Sequence, residues 1–166
     1  MNGQVDPNVA LVGLPAGVSS NEVLASLIPN YTTQEKIFYL GGSAWSPNVP
    51  DEDITAASAR LAAGENNFGY MYGLTDSSNP SYPLIFDAPT AASTAYSTDP
   101  ATPGGVWKGK RAVVVRCDNS GTVETLDATT FTIQGKTGQA ALADILIPVA
   151  ANNWMDPLVN EILYPN

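Results

Sequence analysis

The spacing of apolar residues predicts a helix near the start of the chain. Ser19 and Glu22 form a Ser-x-x-Glu capping box, in which a hydroxyl and a carboxylate satisfy the first free backbone N–H groups of a helix. One apolar stripe follows, at Val23, Leu24, Leu27 and Ile28. Pro29 limits its extension, so we expect about two and a half turns. Residues 1–18 have no sustained period and are predicted to be an extended N-terminal arm.

Short β-prone runs in the middle of the chain predict strands. Residues 37–40 end at a Gly-Gly pair, which suggests a strand running into a loop. Residues 67–72 and 83–87 bracket a turn-rich segment and are predicted to be two strands joined by a loop. Residues 88–106 contain Pro and Gly breakers and many small residues, so we expect an exposed loop of a length that is often functional.

The clearest hairpin lies further along the chain. Residues 111–117 and 122–126 are rich in valine and threonine, and Asp118-Asn119-Ser120-Gly121 separates them. Residues 129–133 could add an edge strand to this hairpin. Together with the preceding runs, these segments predict an antiparallel meander.

Three further segments predict helices. Asp51-Glu52-Asp53 place carboxylates before alanine-rich residues 54–63, where a helix N-terminus favours negative charge. Leu142, Ile145, Leu146 and Val149 mark a helical face, and Asp156-Pro157 resemble the first positions of a last helix that carries Leu158, Val159, Ile162 and Leu163. Helices at both ends around an antiparallel sheet predict an α+β fold, and one domain over residues 19–166.

Composition narrows the classes of partner. The 166 residues include 16 Asp and Glu against seven Lys and Arg, a formal net charge of -9. Such a surface repels phosphate backbones, and Lys108, Lys110, Arg111 and Arg116 form at most a short basic strand, so no nucleic-acid partner is predicted. The first residues do not have the pattern of a signal peptide, and no apolar run approaches the roughly 18 residues of a membrane span.

The residue inventory also narrows the chemistry. The chain has no histidine and a single cysteine, Cys117, which excludes Ser-His-Asp triads, Cys-His dyads and histidine zinc sites. Cys117 shares a strand face with Val113 and Val115, so we expect a small core residue rather than a reactive thiol. Carboxylate catalysis would require a close pair of Asp or Glu side chains. The candidates by number are Glu65, Asp76, Asp87, Asp118 and Glu124, and each has a structural explanation at a helix end, a turn or a strand end.

Neither a calcium site nor a sugar site is predicted by the sequence. Asp51-Glu52-Asp53 and Asp118-Asn119-Ser120 are the compact oxygen-rich clusters, but neither matches an EF-hand loop, and capping or turn formation explains them. No cofactor is predicted, with calcium the one alternative left open. Trp45, Trp107 and Trp154 have no shared spacing and are predicted to anchor core or loops rather than to form a sugar platform.

Two stretches resemble the ectodomains of prepilin-like proteins from planctomycete and verrucomicrobial bacteria. The first runs from Asn21-Glu22-Val23-Leu24 to Asn30-Tyr31 and on to Glu35-Lys36-Ile37-Phe38-Tyr39; the second joins Gly64-Glu65-Asn66-Asn67-Phe68-Gly69-Tyr70 to Pro83-Leu84-Ile85-Phe86-Asp87-Ala88. These proteins are similar to type IV pilins and type II secretion pseudopilins. The hairpin at residues 110–126 fits the end of their sheet, although its turn is longer, and the resemblance covers roughly residues 20–127.

The resemblance implies a structural, non-enzymatic role. It implies a pilin-like head with a small antiparallel sheet, located in the periplasm or at the cell surface. Partners would be other pilin or pseudopilin subunits, bound through an apolar N-terminal helix that also anchors the precursor in the inner membrane. This chain contains neither that helix nor the prepilin cleavage motif, so we expect residue 1 to lie beyond the helix and the isolated head to be monomeric. The alternative is an exported glycan-binding module or carboxylate-dependent glycoside hydrolase, with residues 88–106 as a lid and Trp107 as a platform.

Overall fold

The computed structural model describes residues 18–57, 59–91, 93–135, 144–148 and 154–166. These residues form one antiparallel sheet with a short α-helix and one 3-10 helix. The elements are α1 (Ser20–Ala25), the 3-10 helix Glu35–Phe38, β1 (Phe68–Tyr72), β2 (Pro83–Asp87), β3 (Arg111–Arg116), β4 (Gly121–Thr125) and β5 (Glu161–Leu163). The strand order is β4-β3-β2-β1-β5, and every pair is antiparallel.

The first helix begins where the capping box predicts. The Glu22 carboxylate accepts a hydrogen bond from the Ser19 backbone N–H at 2.8 Å. The helix ends at Ala25, earlier than predicted, because Leu27 and Ile28 donate to carbonyls only three residues back, which is 3-10 geometry. Its apolar stripe still reaches the core through Leu24 and Ile28, both buried.

The first four strands along the chain, β1 to β4, confirm the predicted meander and hairpin. β1 and β2 pair with Phe68 opposite Asp87, and β3 and β4 pair with Val113 opposite Val123. The hairpin turn contains Asn119 at φ +63, a left-handed conformation that asparagine adopts more readily than most residues. The hairpin therefore forms where alternating strands and turn-forming residues both predict it.

The sheet has a core on each face. One face contributes Met71, Phe86, Ala112 and Val114 to a cluster with Tyr96, Leu126, Ile133, Ile145, Leu146, Trp154 and Met155. On the other face, Phe68, Tyr70 and Ile85 pack against a smaller cluster of Leu24, Ile28, Phe38 and Leu61. The short helix α1 thus covers one face, while loops and turns cover the opposite one.

The strand predicted at residues 37–40 is wrong. The chain forms the 3-10 helix Glu35–Phe38 instead, with Glu35 and Phe38 buried and Ile37 exposed. Burial at positions three apart matches the three residues per turn of a 3-10 helix rather than the alternation of a strand. The buried Glu35 carboxylate accepts the Leu61 backbone N–H at 2.7 Å, a contact with a distant segment that favours this conformation.

The helix predicted at residues 54–63 is also wrong for the residues described there. Asp51 and Asp53 accept hydrogen bonds from the backbone N–H groups two residues on, at 2.8 and 3.0 Å, and such turns compete with helix formation. Leu61 has φ +50, which a right-handed helix does not allow. Its side chain is nevertheless buried in the smaller core, so the segment packs without being helical.

The edge strand predicted at residues 129–133 is a turn. The Asp127 carboxylate accepts hydrogen bonds from the backbone N–H groups of Thr129 and Thr130, and Phe131 has φ +55. These contacts curl the chain away from β4. Ile133 is still buried, and its carbonyl accepts the Ile145 N–H at 2.8 Å.

Where residues of the predicted C-terminal helices are described, they form turns and a strand instead. Ile145 and Leu146 lie buried in a turn, whereas Leu142 and Val149 lie outside the described residues. The helix predicted from Asp156 is a turn followed by β5. Asn160 explains this change, because its side chain accepts the Asp156 N–H at 2.7 Å and donates to the Tyr72 carbonyl at 3.0 Å.

The fold class is therefore confirmed in its coarser part. The antiparallel sheet of the predicted α+β class is present, and strands outweigh helices among the regular elements of the described residues. The predicted arm at residues 1–18 lies outside the described residues except for Val18.

Candidate functional site

A buried carboxylate lies at the end of β2. Asp87 is 2% exposed, and its carboxylate accepts three hydrogen bonds: from Asn67 Nδ2 at 2.7 Å, from Trp107 Nε1 at 2.9 Å and from the Val113 backbone N–H at 2.7 Å. Burial raises the pKa of Asp87, and the three donors oppose that rise only in part. Through these hydrogen bonds the carboxylate at the end of β2 is linked to the residue before β1, to β3 and to the segment that carries Trp107.

Residues 106–111, here called the basic turn, include the Trp107 that donates to this carboxylate and end at the first residue of β3. The Arg111 guanidinium lies 4.6 Å from the centre of the Trp107 ring, a cation–π distance. A surface pocket of about 450 Å³ is lined by Val106, Trp107, Lys108, Lys110 and Arg111. The pocket therefore combines an indole ring with three cationic side chains.

The backbone of the basic turn is tightly constrained. Lys108 has φ +55 and Gly109 has φ +66, and a left-handed lysine is uncommon. A Cβ atom at Gly109 would lie 2.9 Å from Thr98 Cγ2 and 3.0 Å from Phe131 Cδ1. The turn thus requires glycine at this position, and its neighbours hold it in one conformation. Unfavourable backbone geometry of this kind is often found at binding sites.

The basic turn concentrates charge that the rest of the chain lacks. Lys108, Lys110 and Arg111 are three of the seven Lys and Arg residues in a chain of net charge -9. All three are exposed. Within the described residues, the ion pairs are Lys36–Glu52 at 3.6 Å and Arg116–Glu124 at 2.7 Å, and neither involves the basic turn. Its cations are therefore free to meet an anion from outside.

The predicted carboxylate candidates are held by separate contacts. Glu65 is buried and accepts the Ala62 N–H at 2.7 Å, and burial raises its pKa. Glu124 is paired with Arg116. Asp118 accepts the Ser120 N–H at 2.8 Å, and hydrogen bonds from Ser120 lower its pKa, while Asp76 is exposed in the loop between β1 and β2. Asp76 and Asp118 lie at the end of the sheet opposite Asp87, as the strand directions require.

Two buried carboxylates, Glu35 and Asp144, lie outside the predicted candidates. Glu35 is 0% exposed; its Oε1 accepts the Leu61 N–H, and its Oε2 has no hydrogen-bond partner among the described residues. Burial is the main cause of the raised pKa of Glu65, and the nearby Glu35 and Asp51 raise that pKa further. Nothing in the local sequence around Glu35 marks it as buried, because its partner Leu61 comes from a distant segment.

The oxygen-rich cluster at Asp51–Asp53 is held by backbone donors of the chain itself. Asp51 and Asp53 accept backbone N–H groups nearby, and Glu52 accepts the Glu35 N–H at 2.9 Å beside Lys36. Across the part of the chain that the structure describes, no three Cys, Asp or Glu side chains form a group suited to a metal ion.

The three tryptophans have different roles. Trp45 donates to the Pro89 carbonyl at 2.8 Å and stacks on Tyr164 with ring centres 6.2 Å apart. Trp154 is 5% exposed and donates to the Ile145 carbonyl at 2.9 Å. These two anchor loop and core, as predicted. Trp107 is half-buried and borders the surface pocket.

Cys117 follows β3 and is half-buried. The strand alternation places it with Val113 and Val115, on the face opposite the buried Ala112 and Val114, as the sequence predicts. That face is only partly covered at this position, so the prediction that Cys117 is a core residue is wrong. Burial raises the pKa of the Cys117 thiol, which disfavours the reactive thiolate form.

The loop at residues 88–106 is tied to the rest of the molecule where it is described. Tyr96 is buried and its hydroxyl donates to the Asp87 carbonyl at 2.7 Å. The Tyr164 hydroxyl donates to the Ser93 carbonyl at 2.6 Å, and Trp45 holds Pro89. The described residues of this segment form a loop, as predicted, but the loop is not exposed throughout, since Ala88, Tyr96 and Gly104 are buried. These anchors disfavour the movement that a lid would require.

Comparisons with protein-family models, curated proteins and solved structures found no match to this chain. A membrane-spanning helix would have to be far longer and more apolar than any helix seen in the described residues.

Proposed function

We propose that this domain is a non-enzymatic structural subunit, the head of a type IV pilin-like or type II secretion pseudopilin-like protein. In this role it is displayed outside the inner membrane and joins related subunits through an apolar N-terminal helix. Support comes from the resemblance over residues 20–127 and from the helix α1 lying on an antiparallel sheet. Assembly through such a helix leaves the head itself monomeric, without cofactor or nucleic-acid partner.

The attachment of the start of α1 to the sheet is the observation that carries the proposal. The Ser20 N–H donates to the Tyr164 carbonyl at 2.9 Å, and the Ser20 hydroxyl donates to the Phe68 carbonyl at 2.7 Å. Asn66 Nδ2 donates to the Ser20 hydroxyl at 2.9 Å. Tension applied to the chain ahead of Ser20 would therefore pass directly into β1 and the end of β5. A subunit held in a fibre by its N-terminal segment needs such a connection.

The state of the acidic side chains supports a role without catalysis. Asp87, Glu65 and Glu124 are buried, and each accepts hydrogen bonds that stabilise the fold. A carboxylate pair for glycoside hydrolysis requires two such groups facing one cleft. The surface pocket at the basic turn is lined by cations instead. These observations favour a structural role over the hydrolase alternative.

Isolation of fibres from the source cells tests the proposal. An antibody raised against this domain is used to probe sheared surface fibres, membranes and cytosol. We expect the domain in the fibre or membrane fraction, together with other pilin-like subunits. Its recovery in the cytosol alone, without such subunits, would contradict the proposal.

A further inference from the structure

We propose that the basic turn is a binding site for an anionic sugar, such as a uronate or sulfated residue of a surface glycan. This inference goes beyond the proposed structural role, which does not require a ligand at this site. It depends on the pocket at residues 106–111, on the fixed indole of Trp107 and on the cations beside it. The two proposals rest on different observations, so a result that contradicts one does not contradict the other.

The indole is preorganised. Trp107 Nε1 donates to the buried Asp87 carboxylate at 2.9 Å, and two further donors hold that carboxylate in place. The ring orientation is therefore set before a ligand arrives, so little conformational entropy is lost on binding. The left-handed backbone at Lys108 and Gly109 constrains the chain that follows Trp107.

Local charge favours an anion although the whole chain is acidic. Lys108, Lys110 and Arg111 line one pocket, whereas the charges of distant carboxylates are screened over a Debye length of about 8 Å at physiological salt. Asp87 is the nearby buried carboxylate, and its two oxygens already accept three hydrogen bonds. The exposed side of the pocket therefore presents positive charge to a ligand.

The mixture of surfaces favours a sugar over a nucleic acid. The pocket volume of about 450 Å³ falls in the usual range for small ligands. Val106 and the Trp107 ring match the apolar C–H face of a sugar, and the cations match its carboxylate or sulfate. A nucleic-acid backbone would require a longer track of cations than the three in this turn.

Calorimetric titration of the whole chain at physiological salt tests the site. The probes are a short oligogalacturonate, a heparin-derived oligosaccharide, a neutral cello-oligosaccharide and an oligothymidylate of similar length. We expect saturable binding of at least one anionic sugar. The neutral sugar and the oligothymidylate should bind at least about tenfold more weakly, because they lack either the charge or the matching ring face.

Variants locate the binding on the molecule. Lys108→Asn removes a charge and keeps a residue type that accepts positive φ, and Lys110→Gln removes a second exposed charge. Each should weaken binding of the anionic sugar by about tenfold, because a charge-assisted contact is lost. Lys36→Gln is the matched control, since it changes the net charge equally outside the pocket, and it should leave the affinity within about twofold.

Three results would overturn the proposal. The first is no saturable binding of either anionic sugar by the folded chain. The second is equal affinity for the oligothymidylate, which would indicate a general polyanion surface. The third is an equal loss of affinity in Lys36→Gln and Lys108→Asn, which would place the binding elsewhere. Urea unfolding of each variant verifies that it is folded.

Discussion

At the scale of single residues, Asp87 connects the sheet to the candidate site. It follows Phe86, which lies opposite Val114 in the ladder between β2 and β3, and its carboxylate accepts the Val113 N–H in addition to two side-chain donors. A buried carboxylate with three good donors is favourable, whereas the same donors without an acceptor are costly. Asp87 therefore has a structural role. Its hydrogen bond from Trp107 helps to hold the basic turn in position.

Asp87→Asn should destabilise the fold by about 2 to 4 kcal/mol in urea unfolding, because the amide cannot accept all three hydrogen bonds and leaves buried donors unpaired. Asp118→Asn is the matched control, since its oxygen can still accept the Ser120 N–H at the exposed turn, and should change stability by less than about 0.5 kcal/mol. Similar losses in the two variants would show that the Asp87 contacts do not stabilise the fold.

At the scale of elements, the edge strand β5 depends on one side chain. Asn160 bonds both to the turn at Asp156 and to the Tyr72 carbonyl on β1, so it positions the three residues of β5 against the sheet. Tyr72 is far from Asn160 in sequence. The local pattern of the C-terminal segment therefore favours a helix, although the segment forms a strand.

Asn160→Ala should lower the free energy of unfolding by about 1 to 3 kcal/mol, because two partly buried hydrogen bonds are lost at once. Hydrogen exchange should speed up at Glu161–Leu163 more than at Arg111–Arg116. Leu158→Ala, at a side chain that is 93% exposed in the same turn, should change neither stability nor exchange appreciably. Unchanged exchange at β5 in Asn160→Ala would refute this role.

The elements predicted correctly are those whose signals are local. The hairpin of β3 and β4 follows from strand alternation and the turn residues between them, and the start of α1 follows from its capping box. The missed elements depend on distant partners: Leu61 for Glu35, and Tyr72 for Asn160. At the candidate site, the basic residues are close together in sequence and can be recognised there. The hydrogen bond from Trp107 to Asp87 cannot, because the two residues are 20 positions apart.

At the scale of the whole molecule, buried acids shape the response to pH. Burial raises the pKa values of Asp87, Glu65 and Asp144 above those of an unfolded chain. The folded state therefore binds protons more tightly than the unfolded state in the range above the ordinary pKa of these groups. Their contribution to stability is full at lower pH and is lost as the pH rises through the folded pKa values.

The free energy of unfolding should thus fall as pH rises above the ordinary carboxyl pKa of about 4, with the excess of negative charge adding to the decline. At still lower pH it should fall again, because hydrogen bonds lower the pKa values of Asp53, Asp118 and Asp127 in the folded state. Urea titrations across this range measure the profile. Stability that rises steadily toward neutral pH would contradict the assignment of these buried acids.

The proposed structural role rests on the hydrogen bonds that join Ser20, at the start of α1, to the sheet. Intact-mass analysis of the mature polypeptide, isolated from the membrane and surface fractions of its source cells, tests that role most directly. We expect a polypeptide that carries an apolar helical segment ahead of residue 1 and ends with the present sequence. A mature polypeptide that begins at Met1 would contradict it.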